Sequence, residues 1–97
     1  MPELIVKMPE RVHVNQAFNI EVIFTNPLST TLDHCDIEIN DDYTTKDKKL
    51  LKIKAFEEVH RTIKFTSKHH GFKLIIVNLY ADNLPEQLQA IKEIEVN

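Results

Sequence analysis

Phe18, Ile20, Val22 and Phe24 alternate with Asn19, Glu21, Ile23 and Thr25. A period of two places the first four on one face of a strand. Asn26-Pro27 closes the run, because Pro27 has no amide hydrogen and biases the residue before it away from helix. A chain built around this segment has one sheet face to bury. The composition agrees: Ile and Val total 18 and Thr adds 7, against 4 Ala. Branched side chains are stiff at the first torsion and pack well on a pleated surface. Gly71 is the single glycine, so Asn, Asp and Pro must make most of the turns.

The remaining segments follow the same pattern. Leu4 to Met8 reads as a short strand ended by Pro9. Leu32 to Ile39 reads as a third strand with Cys35, Ile37 and Ile39 facing inward, followed by the turn Asn40-Asp41-Asp42. Lys48 to Lys54 reads as an edge strand, with Leu51 and Ile53 on one face and lysines around them that resist pairing with other chains. Val59, Ile63 and Phe65 share a face in a fifth strand, where Arg61 is the odd member. Ser67 to Gly71 turns the chain. Phe72 to Ala81 is nearly all apolar, as expected for a strand covered on both faces. Near the end, Asn83 and Pro85 favour a brief helical turn around Pro85 to Leu88, and a final strand follows. Seven strands with turns every eight to twelve residues predict a single all-β domain: an immunoglobulin-like Greek-key β-sandwich over residues 1–97.

Ninety-seven residues are enough for one modest core. The net charge of −3 argues against a general nucleic-acid binder. The longest uninterrupted apolar run, Leu74 to Val77, is too short to span a membrane. One cysteine excludes an internal disulfide framework and is compatible with the cytoplasm or with leaderless export.

The reactive side chains form no complete constellation. A nucleophilic cysteine needs a base and a setting that favours thiolate. Cys35 falls on the inner face, and its neighbour His34 points the other way, so a buried structural thiol is the plainer reading. Of the histidines His13, His34, His60, His69 and His70, only the last two are close, and they fall in a turn. Zinc sites usually show paired ligands at regular spacing. Asp41, Asp42 and Asp47 lack the glycine and terminal glutamate of a calcium loop, so they read as a polar hairpin. Five of twelve basic residues lie between Lys46 and Lys54, which suits either an acidic partner or a solvated edge. No phosphate loop can be built with one glycine. The residues assign no catalytic, cofactor-binding or metal-binding position.

Several stretches, in order, resemble the last β-barrel domain of animal transglutaminases. Pro2-Glu3-Leu4-Ile5-Val6-Lys7 is similar to its opening strand. Ile20 to Leu28, with Thr31-Leu32 after it, is similar to its strand ending in N-P-L and the step beyond. His70-Gly71-Phe72-Lys73-Leu74-Ile75 is similar to its G-x-x-K-L turn and strand, shortened by one residue, and Asp82-Asn83-Leu84 to the D-x-L before its last strand. The chain differs from that pattern in the additional Pro85-Glu86-Gln87. The positions that carry the structural motif are Asn26, Pro27, Leu28, Cys35 and Gly71.

This resemblance implies a non-catalytic domain of a larger enzyme that joins glutamine side chains to lysine amines and releases ammonia. In that family the nucleophile lies in a G-Q-C-W motif within a separate catalytic core, which also holds the calcium sites. That motif does not occur here, and Cys35 matches a packing position. The implied partners are the catalytic core and the preceding β-barrel. The exposed Ile23 and the covered strand from Phe72 to Ala81 are expected to mark the docking or scaffold side. The alternative is a free-standing immunoglobulin-like module that binds a protein partner through an edge strand or loop tips.

Overall fold

The computed structural model describes residues 4–84 and 86–97, at Leu51 for the backbone only. Among the described residues eight strands run in chain order: β1 (Leu4–Lys7), β2 (Arg11–Val12), β3 (Phe18–Thr25), β4 (Leu32–Asn40), β5 (Thr45–Ile53), β6 (Glu58–Phe65), β7 (Gly71–Tyr80) and β8 (Leu88–Val96). They form a three-stranded sheet, β1-β3-β6, and a five-stranded sheet, β2-β8-β7-β4-β5. The two sheets face each other across a core that includes Ile20, Val22, Phe24, Ile37, Ile39, Phe65, Ile75, Val77 and Ile94. This is the expected immunoglobulin-like sandwich.

Among the described residues, the strand beyond the expected seven is β2. Pro9 cannot donate to the β1–β3 ladder, and the chain changes sheets there. It then runs parallel to β8, pairing Arg11 with Glu95 and Val12 with Val96. Glu95 N donates to Glu10 O at 3.0 Å and Asn97 N to Val12 O at 2.9 Å. Two residues give too short an alternation to be read as a strand from sequence. No helix forms among the described residues. Leu84 N donates to Ala81 O at 3.2 Å in a single turn, and β8 begins at Leu88. Pro85, where the helical turn was expected, lies outside the described residues, as do Pro2, Glu3 and the Leu51 side chain.

Two irregularities explain the patterning of β4 and β5. Leu32 and Cys35 are both buried, yet they stand three apart and would face opposite ways on a regular strand. His34, with φ of 52°, is an extra residue between Asp33 and Cys35 in the ladder with β5. On β5 the pairing skips Leu50, since consecutive Cys35 and Asp36 oppose Leu51 and Lys49. The two bulges offset each other, restoring the register and bringing both Leu50 and Ile53 inside. Beyond the bulge, Lys46 and Lys48 lie opposite the inward residues Ile39 and Ile37 but remain exposed. Inward-register charges on an edge strand oppose pairing with another chain. Arg61, on the inner side of the edge strand β6, turns its guanidinium back to the His60 carbonyl at 2.8 Å.

Between β5 and β6, Phe56 adopts φ of 59° and is 65% exposed. A left-handed backbone costs a residue with a Cβ about 1–2 kcal/mol, and little packing is lost by removing this ring. Phe56→Gly is therefore expected to stabilise the chain by up to about 1 kcal/mol after the added freedom of the unfolded state is subtracted. Chemical denaturation of the two proteins at constant m-value measures the difference.

Candidate functional site

Asn26 is fully buried. Its Nδ2 donates to the carbonyls of Thr30 (2.9 Å), Ile53 (3.1 Å) and Lys54 (3.0 Å), while its Oδ1 accepts from Leu28 N at 2.9 Å. Asn26 N also donates to Glu57 O at 2.9 Å. One side chain thus ties the β3–β4 corner to the β5–β6 loop. Pro27 lets the corner leave the sheet without an unmet donor, and Leu28 packs against the core. The other motif positions are structural as well. Gly71 has φ of 115°, a conformation that a side chain resists, although a Cβ there would meet nothing within 4 Å.

Cys35 is 2% exposed. Burial, and then the nearby Asp33 carboxylate, push its thiol pKa up from the ordinary value. A thiolate is thereby disfavoured. His34 lies outside, where its Nδ1 meets Asp82 Oδ2 at 2.5 Å in a pair with both side chains largely exposed. Asn83 braces the same junction, accepting from Asp33 N at 3.1 Å and donating to Thr31 O at 2.8 Å. Imidazole and carboxylate meet here without a nucleophile, since the thiol faces the core.

Of the hairpin acids, Asp41 is used within the turn and beyond it. Asp41 Oδ1 accepts from Tyr43 N (2.9 Å) and Thr44 N (2.8 Å), and its Oδ2 accepts from Ser67 Oγ at 3.2 Å. The β4–β5 tip is thereby fastened to the β6–β7 loop. The Tyr43 and His69 rings lie 3.7 Å apart between centroids, and Lys73 Nζ stands 5.4 Å from the Tyr43 ring. Among the described residues, no group of three or more His, Cys, Asp or Glu is placed to hold a metal ion.

The outer face of the five-stranded sheet differs from the sequence expectation. The outer side of β7 is open over its first half and covered toward Asn78. Ile75, Val77 and Leu79 point into the core, whereas Phe72 is 72% and Leu74 52% exposed. Ile91 of β8, paired with Ile76, is 53% exposed. Glu95 stands opposite Phe72 and Glu93 opposite Leu74. Farther along, Asn78 Oδ1 accepts from Gln89 Nε2 at 2.9 Å. Burial, and then the Glu38 carboxylate, raise the pKa of the Tyr80 phenol. Ile23 requires the opposite correction. It lies on the outer side of the three-stranded sheet but is only 7% exposed, between its register partners Ile5 and His60. Its cross-strand neighbour Ile5 takes the exposed position instead, at 39%.

Residues 2–96 match the family model of the transglutaminase C-terminal Ig-like domain. The chain belongs to this family. The red sea bream transglutaminase structure superposes with a TM-score of 0.84 at 20% identity, covering all of this chain and 15% of that one. The fold also occurs in other settings. The CARDB domain of a Pyrococcus furiosus protein, solved in complex with di-metal ions, superposes with a TM-score of 0.76 at 22% identity over 99% of this chain and 89% of that one. The PKD domain of an M14-like peptidase from a Thermoplasmatales archaeon gives 0.69 at 18% identity. No curated protein matches the chain. At these identities the structural likeness speaks for the fold, and the family assignment rests on the match over residues 2–96. The Asn26 hub is signalled in the sequence only by the N-P-L step, and the bare end of the outer face only by apolar residues at both parities of β7.

Proposed function

We propose that this chain is the non-catalytic terminal domain of a protein-glutamine γ-glutamyltransferase, packed against the catalytic core and governing access to it. The family match across residues 2–96 carries this reading. The reaction of such a parent joins a glutamine carboxamide to a lysine amine and releases ammonia. The cysteine nucleophile and the calcium sites would belong to the core. The inert burial of Cys35 and the lack of a G-Q-C-W motif in these 97 residues agree with that division of labour. A sandwich whose loops are cross-tied by Asn26 and Asp41 suits a rigid docking body. Interfaces between domains of one chain are typically about 600–1,500 Å² and fairly polar, which allows them to open and close.

The second reading is a free-standing interaction module, favoured by the likeness to a solved CARDB chain of nearly the same extent. An antibody raised against residues 1–97 separates the two on an immunoblot of source tissue. The proposal expects a band several times larger than the domain. A sole band at the size of the 97-residue chain would favour the free-standing module.

A further inference from the structure

Phe72, Leu74, Ile76 and Ile91 form one continuous apolar ridge on the outer face of β7 and β8. Leu74 and Ile76 follow Phe72 at two-residue steps, and Ile91 is the cross-strand partner of Ile76. Three of the four are more than half exposed. Large apolar side chains gathered on water mark an interaction surface more often than single exposed ones do. The ridge has an acidic border. Glu95 and Glu93 are the cross-strand partners of Phe72 and Leu74, and Glu38 is paired with Asn78 farther along the face. Beside Phe72 is a cleft of about 360 Å³ lined also by Glu10, Arg11, Glu93 and Glu95. Arg11 is already paired with Glu95 at 2.9 Å. Lys49 and Lys52 belong to the far edge strand β5, and Lys73 stands over Tyr43. The border is thus negative around an apolar centre.

We propose that this face docks a protein segment with apolar side chains flanked by lysine or arginine. The proposal deepens the reading of the chain as a docking domain and does not depend on which parent carries it. A second copy of the chain would bring the same acidic border to the interface, and like charges facing each other oppose association. Desolvating the ridge supplies attraction, and the carboxylates select the sign of the partner.

The test uses the isolated 97-residue chain and two synthetic peptides of identical apolar content, one flanked by lysine and arginine and the other by glutamate. Amide chemical shifts are followed during titration. The basic peptide is expected to move the amides of 72–76 and 91–95, and to bind at least about tenfold more tightly than the acidic one. Raising the salt from about 0.05 M to about 0.5 M should weaken it, since the Debye length falls severalfold. Leu74→Glu and Ile91→Glu, both at exposed positions, should abolish the shifts and keep a folded spectrum. Glu93→Lys should reduce the preference for the basic peptide. Equal binding of both peptides, no binding, or shifts centred elsewhere would overturn the proposal. Concentration-dependent shifts of the same amides without peptide would assign the face to a second copy and overturn it too. None of these outcomes bears on the size of the polypeptide seen by immunoblot, so the two readings fail separately.

Discussion

Asn26→Ala is expected to destabilise the chain by about 3–4 kcal/mol. The substitution removes the donor to the buried Ile53 carbonyl and the acceptor of Leu28 N, and it unties the β3–β4 corner from the β5–β6 loop. Each buried polar group left without a partner costs about 1–3 kcal/mol. Lys54 O keeps a second donor in Glu57 N, which limits the total. A domain of this size is stable by about 5–15 kcal/mol, so the loss is a large fraction of the whole. The melting temperature should fall by roughly 12–32 °C, at about 4–8 °C per kcal/mol. Asn26→Asp should be no better, because a carboxylate cannot donate to three carbonyls and its charge would be buried among their oxygens. A change under about 1 kcal/mol for Asn26→Ala would mean that solvent can replace these hydrogen bonds, and the corner would not be a structural hub.

Phe65→Ala is the second large effect, at about 3–5 kcal/mol. Phe65 is 1% exposed and lies opposite Phe18 in the register of β3 and β6. Their ring centroids are 6.0 Å apart at an interplanar angle of 70°, an edge-to-face contact. Truncation removes the buried ring and leaves a cavity between two sheets held apart by their other side chains. Phe65→Leu, which keeps most of the volume, should cost only about 1.5 kcal/mol. Equal losses for the two variants would mean that the aromatic contact, not the filled volume, dominates. Denaturant midpoints at an unchanged m-value distinguish these cases.

Much of this fold was legible because one face of each strand must be buried. The parity of Phe18 to Phe24 and of Cys35, Ile37 and Ile39 places those residues correctly, and the lysine-rich strand is an edge. Parity fails where a strand gains a residue. Leu32 and Cys35 conflict in phase, and the conflict itself marks the bulge at His34, a feature that requires the partner strand to be seen. Ile23 and Phe72 fail for another reason. Both are apolar residues on the outer side of a strand, and which of them is covered depends on cross-strand neighbours that sequence order does not reveal. The motif Asn26-Pro27-Leu28 was readable as a strand stop, but the three carbonyls that Asn26 serves come from segments up to 28 residues away. The candidate docking face was legible only as an excess of apolar residues in β7. The acidic border became visible once β8 was in register beside it.

Immunodepletion tests the proposed role most directly. An extract of source tissue is passed over antibody to residues 1–97, and the calcium-dependent incorporation of a labelled amine into a glutamine-containing protein is measured before and after. If the chain is the terminal domain of a cross-linking enzyme, the activity should leave the extract together with the large antigen and reappear in the eluate. Complete removal of the antigen with the activity left undiminished in the extract would contradict that role.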